Sequence, residues 1–210
     1  MWESKKERKV FKIIVAGDSC CGKSSLLLGF ILNKFLRNIQ STIGLDIQNK
    51  DVVIEGQQTT LQFWDSAGQE KYRRSLRKIY YMKADAIVFV YDVNNPTSIN
   101  SIAHWLNEAN QYCKSDPIKI LVGTKCDYEI EVSKKKANKF AKANKITLFQ
   151  TSARCPSDHD NIEMIFLYLA KVLQDGKRTL SRNGYKNFKN TIEKSRKNIS
   201  RAPKSICCFI

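Results

Sequence analysis

Gly17-Asp18-Ser19-Cys20-Cys21-Gly22-Lys23-Ser24 satisfies G-x-x-x-x-G-K-[ST] at every fixed position. The stretch before it, Val10-Phe11-Lys12-Ile13-Ile14-Val15-Ala16, reads as a buried strand. The stretch after it, Ser24-Ser25-Leu26-Leu27-Leu28-Gly29-Phe30-Ile31-Leu32, reads as a helix. Strand, glycine loop and helix together form the context in which this pattern holds phosphate. The two glycines let successive backbone N–H groups, from Gly17 through Ser25, turn inward on phosphate oxygens, and the helix adds the positive end of its dipole. Lys23 is placed to reach β- and γ-phosphates, and the Ser24 hydroxyl to coordinate Mg²⁺. The pattern predicts a nucleoside triphosphate ligand without saying which one.

Outward from the loop, strand and helix signals alternate. Strands are predicted near 10–16, 46–55, 59–64, 86–91, 119–123 and 147–151, and helices near 23–32, 71–82, 98–112, 133–143 and 159–173. Gly56-Gln57-Gln58 signals a hairpin between the second and third strands. The remaining strands are joined through helices. The fold class is therefore α/β of the P-loop NTPase kind: a mostly parallel six-stranded sheet with one antiparallel edge strand and helices on both faces. Ile162, Ile165, Phe166, Leu169, Val172 and Leu173 recur at helical spacing and mark a core-facing stripe. Ligands of such sheets sit at the carboxyl ends of the strands.

Trp64-Asp65-Ser66-Ala67-Gly68-Gln69-Glu70 follows the third predicted strand. An acid there commonly holds the Mg²⁺ shell, Asp65 through water. Gly68 can bring a backbone N–H close to a γ-phosphate. Gln69 carries a donor and an acceptor and can orient a water for in-line attack.

Asp-x-Ala-Gly-Gln-Glu behind this loop resembles the Ras superfamily of small GTPases, and Ser41-Thr42-Ile43-Gly44-Leu45-Asp46 is similar to its first switch in Rab form. The resemblance covers residues 10–175 and implies a small G domain that binds GTP and GDP with Mg²⁺. It implies that Thr42 ligates Mg²⁺ and touches the γ-phosphate, and that Phe35 packs edge-on against guanine. Thr124-Lys125-Cys126-Asp127 matches the base-reading motif, and Ser152-Ala153-Arg154 the loop near guanine O6. Physically, the Asp127 carboxylate can accept from guanine N1–H and N2–H₂ together; adenine offers no such pair, so the acid would stay unpaired against it. The Lys125 stem can pack over the base, and an N–H at Ala153 suits O6. Tyr80-Tyr81, Val90-Tyr91-Asp92-Val93 and Gly68-Gln69-Glu70-Lys71-Tyr72-Arg73 resemble Rab stretches. The chain departs from that pattern at Cys20 and Cys21, at Thr124, at Arg154, and at Leu45 and Ile47. Thr124 lacks an amide donor, which predicts weaker bracing of the phosphate loop.

The chain has 210 residues and a net charge of +16. Its organisation is read as a charged arm over 1–9, the G domain over 10–175, and a basic flexible tail over 176–210. Residues 177–204 carry ten Lys or Arg against a single acid, Glu193, and few large apolar side chains, so order is not expected there. No apolar run approaches a membrane span, and the N-terminus is charged, without a signal-peptide core. Seven cysteines without paired metal spacing fit a reduced cytosolic compartment. The ending Cys207-Cys208-Phe209-Ile210 fits C-a-a-X and the double-cysteine end found in Rabs, making both cysteines lipidation candidates. One lipid with a polybasic stretch anchors a protein, and two anchor it strongly.

The resulting expectation is a membrane-anchored GTP/GDP switch in vesicle trafficking that hydrolyses GTP slowly. Gln69 and Lys23 are its catalytic residues. No arginine in the active loops stands out as an internal finger, so rapid hydrolysis should need an activating protein. The resemblance implies exchange factors, activators, effectors, prenylation escort proteins and GDP-dissociation inhibitors as partners. It implies a monomer on the cytoplasmic face of endomembranes, exchanging with cytosol. Nucleic acid is not expected, because only Tyr185 and Phe188 accompany the tail charges as stacking candidates. The alternatives are a constitutively nucleotide-bound module with impaired turnover, an RNA-binding GTPase using the tail, and a Ras- or Rho-like signalling protein.

Overall fold

The structure, a computed structural model, describes residues 9–37, 39–66, 77–128, 132, 134–177 and 180–200. Six strands form one sheet: β1 (Lys9–Ala16), β2 (Leu45–Ile54), β3 (Gln57–Ser66), β4 (Ala86–Asp92), β5 (Ile118–Thr124) and β6 (Thr147–Gln150). Their order is β2-β3-β1-β4-β5-β6. Only β2 runs antiparallel, against β3; the other pairings are parallel. The chain leaves β1 toward β3 on one side and returns to β4 on the other. The crevice beyond the carboxyl end of β1 is therefore the switch point where such sheets bind ligands.

The helices are α1 (Lys23–Leu32), α2 (Arg77–Tyr81), α3 (Pro96–Tyr112), α4 (Lys134–Ala143), α5 (His159–Gln174) and α6 (Arg182–Ser200). Period-two alternation in the central strands feeds two cores. Ile13 and Val15 of β1 and Val88 and Val90 of β4 join Leu27 and Phe30 of α1 and Phe166 and Leu169 of α5. Ile14, Ala16, Ile87 and Phe89 face the other way, onto Tyr81 of α2, Ile102 and Trp105 of α3 and Ala137 of α4. Phe30, Phe63 and Phe166 interlock with ring centroids 4.6–5.8 Å apart. Each such buried side chain contributes about 1.5–3 kcal/mol. This double core holds the strand ends that carry the site.

Two local expectations change, and a third is only partly described. The hairpin turn is the pair Glu55-Gly56, with φ of 50° and 74°, because Ile54 pairs with Gln57; two left-handed residues match the twist of the flanking strands. α3 begins two residues early, at Pro96, where a missing N–H costs nothing. The Asn95 side chain caps it by accepting from Thr97 N at 3.0 Å. Of the helix predicted over 71–82, the part up to residue 76 lies outside the described residues.

The tail is the larger correction. Residues 182–200 form a helix where a flexible segment is expected. Order there does not need a core of its own. Tyr185 meets Phe149 at 5.0 Å and Tyr168 at 5.8 Å, and Phe188 meets Tyr168 at 5.6 Å. Leu180 is buried just before the helix, and its carbonyl accepts from Thr147 Oγ1 at 2.9 Å. Arg196 pairs with Glu163 at 2.7 Å. A short apolar stripe docked on a finished core stabilises a helix that would be marginal alone. Cys207 and Cys208 lie outside the described residues.

Candidate nucleotide-binding site

The phosphate loop leaves β1 through Gly17, where a Cβ would collide with the Val90 carbonyl oxygen. It enters α1 through Gly22, at φ 89°, a left-handed turn that glycine makes without strain. Lys23 is buried, and its Nζ donates to the carbonyls of Gly17 at 3.0 Å and Asp18 at 2.8 Å. An ammonium has three donors, so one remains for a phosphate oxygen. The two cysteines differ sharply. Cys21 is buried and packs in the core, and burial pushes its thiol up to about 11; it offers the site only its backbone. Cys20 is exposed and left-handed, at φ 62°, a conformation that costs a side-chain-bearing residue about 1–2 kcal/mol.

Ser24, Thr42 and Asp65 converge. Ser24 Oγ donates to Asp65 Oδ2 at 2.5 Å and lies 3.0 Å from Thr42 Oγ1. Asp65 is 1% exposed, and its Oδ1 has no hydrogen-bond partner among the described residues. Burial raises its pKa, opposed by the Ser24 hydroxyl and the Lys23 charge. Two hydroxyls and a buried carboxylate with an unpaired oxygen are all hard oxygen donors, the set that suits Mg²⁺.

Thr124 braces the phosphate loop through its hydroxyl in place of an amide. Its buried hydroxyl lies 2.5 Å from the Cys21 carbonyl and 3.1 Å from the Tyr91 carbonyl, and the first of these contacts ties the phosphate loop to the end of β5. A hydroxyl carries one proton and serves one carbonyl at a time, yet that bond supplies the brace. Thr124→Val keeps the shape and removes the donor. Leaving the Cys21 carbonyl unpaired costs about 1–3 kcal/mol. The expected result is nucleotide release faster by about tenfold, measured by displacement of a fluorescent GDP analogue. An unchanged rate would show that the loop does not depend on this bond.

Beyond Thr124, a cavity of about 510 Å³ is lined by Phe35, Lys125, Asp127, Ser152, Ala153 and Arg154. Ser152 Oγ donates to Asp127 Oδ1 at 2.5 Å, and Arg154 Nη1 approaches Asp127 Oδ2 at 3.8 Å. A second cavity of about 260 Å³ is lined by Ser19, Cys20, Lys23, Ser24 and Thr42. Gly22, Ser25, Phe35 and Lys125 line both, so phosphate loop and base pocket share one crevice. Gly68 and Gln69 lie outside the described residues.

Several supports escaped the sequence reading. Asp92 accepts from Lys125 Nζ at 2.7 Å and fixes its stem along the crevice. Asp158 accepts from Ser152 N at 2.9 Å and shapes the loop carrying Ala153. Trp105 Nε1 donates to Asp18 Oδ1 at 2.9 Å, tying the phosphate loop to α3. Tyr128 holds Arg154 through a 2.7 Å hydrogen bond. Arg37 lines the phosphate-side cavity and brings a further cation to it. Most of these partners are far apart in sequence, and the sequence reading assigned none of these contacts.

A sheet of this order, with a phosphate loop at its switch point and a base pocket beside it, is the architecture of the small G domains. The Ras family profile matches residues 12–175. The chain belongs to the Ras family of small GTPases, and its relatives are Rab proteins. It is 42% identical over 178 residues to Ras-related protein Rab-33A of Mus musculus, covering 83% of this chain and 75% of the relative. It is 40% identical to Ras-related protein Rab-33 of Caenorhabditis elegans, covering 82% of this chain but 58% of that longer relative. It is 39% identical to GTP-binding protein YPT1 of Saccharomyces cerevisiae, covering 79% and 80%.

Proposed function

We propose that the chain is a Rab-type switch that binds GTP and GDP with Mg²⁺, hydrolyses GTP slowly and regulates vesicle trafficking from the cytoplasmic face of endomembranes. The observation that carries this is the single crevice joining Lys23, Ser24, Thr42 and Asp65 to Asp127 and Lys125. Ser24, Thr42 and, through water, Asp65 would hold Mg²⁺, which supplies charge neutralisation at the phosphates. Lys23 would neutralise further charge on the transferring group. Asp127 would read guanine, with Lys125 over the base plane. Gln69 would orient the attacking water. A γ-phosphate would draw in Thr42 and Gly68, and with them the segments that effectors read. Ile43 and Ile47 stand exposed beside Thr42, an apolar surface for such a reader.

Gln69→Leu is expected to keep GTP affinity and to slow hydrolysis, because leucine cannot orient water. Single-turnover hydrolysis with and without cell extract measures this. A wild-type rate in the variant under both conditions would refute water positioning by Gln69. The same assay separates a cycling switch from a constitutively bound module.

Attachment would run through prenyl groups on Cys207 and Cys208, delivered by an escort protein and shielded in the GDP form by a dissociation inhibitor, on a monomeric protein. No helix among the described residues is long and apolar enough to cross a membrane. Replacing both cysteines with serine should move the protein from membranes to cytosol while nucleotide binding survives. Fractionation of a tagged chain checks it, and unchanged membrane association would contradict lipid anchoring.

A further inference from the structure

At the β6 edge of the sheet, a second kind of site is built. A cavity of about 330 Å³ opens between the start of α4, β6, α5 and α6. Lys134, Arg182, Lys186 and Lys189 line it, and no carboxylate is among its described lining residues. Three of these cations come from α6 at spacings of four and three residues, which places them on one face of that helix. Like charges at that spacing repel by a few tenths of a kcal/mol per pair. The arrangement depends on the ordering of α6, since in a flexible tail the same charges would spread apart.

Two of the cations are held in place by amides. Arg182 donates to Asn138 Oδ1 at 2.7 Å, and Lys189 to Asn161 Oδ1 at 2.6 Å. Amides satisfy donors and leave the charge in place. Glu193, one turn further along α6 and outside the cavity lining, pairs with Lys189 at 3.8 Å and offsets part of its charge. Gln150 and Asn161 line the same cavity and are neutral polar groups suited to hydroxyls. The floor is Phe149 and Ile165, both buried. Tyr185 is already packed edge-on against Phe149 and Tyr168, so no free aromatic face is offered to a nucleobase.

We propose that this cavity binds a polyol carrying several phosphates, the chemistry of a phosphoinositide headgroup and of soluble inositol polyphosphates. Four cations around one cavity exceed what a single phosphate would use, and charge-assisted bonds from Lys and Arg to phosphate are strong. Bound to a lipid headgroup, the site would hold the G domain against the membrane in a fixed orientation. It makes α6 one wall of a shaped site where a flexible polybasic stretch is expected. The proposal does not rest on lipidation or on the GTPase cycle.

The test uses the full-length, unlipidated chain. Binding is measured to inositol hexakisphosphate by calorimetry and to phosphatidylcholine vesicles containing 5% phosphatidylinositol 4,5-bisphosphate by sedimentation. Lys134→Glu with Lys186→Glu is compared with Lys83→Glu with Lys114→Glu, which makes the same charge change on a different face. GDP affinity reports folding in both. The expected result is a loss of at least tenfold in the first pair and less than threefold in the second. Binding to both probes assigns the site to lipid headgroups as well as soluble anions, and binding to the soluble probe alone assigns it to the latter. No binding by the wild type would overturn the proposal. So would equal losses in the two variants, or displacement by heparin and single-stranded RNA at matching affinity, because each describes a diffuse field instead of a site.

Discussion

Ser24→Asn is expected to lower GTP affinity in Mg²⁺ by roughly ten- to a hundredfold, with little further loss when the metal is chelated. The Ser24 hydroxyl does two things at once. It donates to Asp65 Oδ2 at 2.5 Å, and it faces Thr42 Oγ1 at 3.0 Å. A hydrogen bond to a charged partner is worth about 1.5–3 kcal/mol. Asparagine is bulkier and cannot occupy the space between those two oxygens. Asp65, whose Oδ1 is unpaired among the described residues, would lose the partner of its other oxygen. Affinities of wild type and variant for GTP, measured in Mg²⁺ and in EDTA, form the test. The wild type should weaken strongly on chelation and the variant only slightly. Equal metal dependence of the two would contradict the placement of Mg²⁺ between Ser24, Thr42 and Asp65.

Asp127→Asn is expected to exchange one base for another. The carboxylate is held from one side by Ser152 Oγ and faces Arg154 from the other. Its acceptor-only chemistry matches the N1–H and N2–H₂ donors of guanine. The amide turns one acceptor into a donor, which opposes N2–H₂ but matches the carbonyl that xanthine has there. One buried mispairing costs about 1–3 kcal/mol, so GTP affinity should fall at least about tenfold and affinity for xanthosine triphosphate should rise. Competition binding with both nucleotides on both proteins checks this. A variant that loses GTP without gaining xanthosine triphosphate would show that Asp127 holds the loop instead of reading the base.

The parts legible in the sequence are those written locally. The phosphate loop is eight consecutive residues between a strand and a helix, and its chemistry follows from their types. Strand alternation gave the sheet, and a single hairpin signal gave its antiparallel edge. The brace at Thr124 was hidden for a physical reason. The amide donor is absent, but the hydroxyl reaches a carbonyl 103 residues away in sequence, a distance no motif encodes. Asp92 under Lys125 and Trp105 beside Asp18 were hidden in the same way. The tail was misread because its composition cannot build a core, and composition does not reveal that one exists to dock on. Tyr185 and Phe188, weighed as stacking residues, are that docking edge.

The central claim is that this crevice selects guanine nucleotides. Competition between GTP and ATP for the purified wild-type chain in Mg²⁺ tests it most directly. A site built to hydrogen-bond guanine's N–H donors rejects a base lacking them by about 10⁴-fold, so GTP should bind more tightly by roughly that factor. Equal affinity for ATP and GTP would contradict the assignment of Asp127 and of the pocket around it.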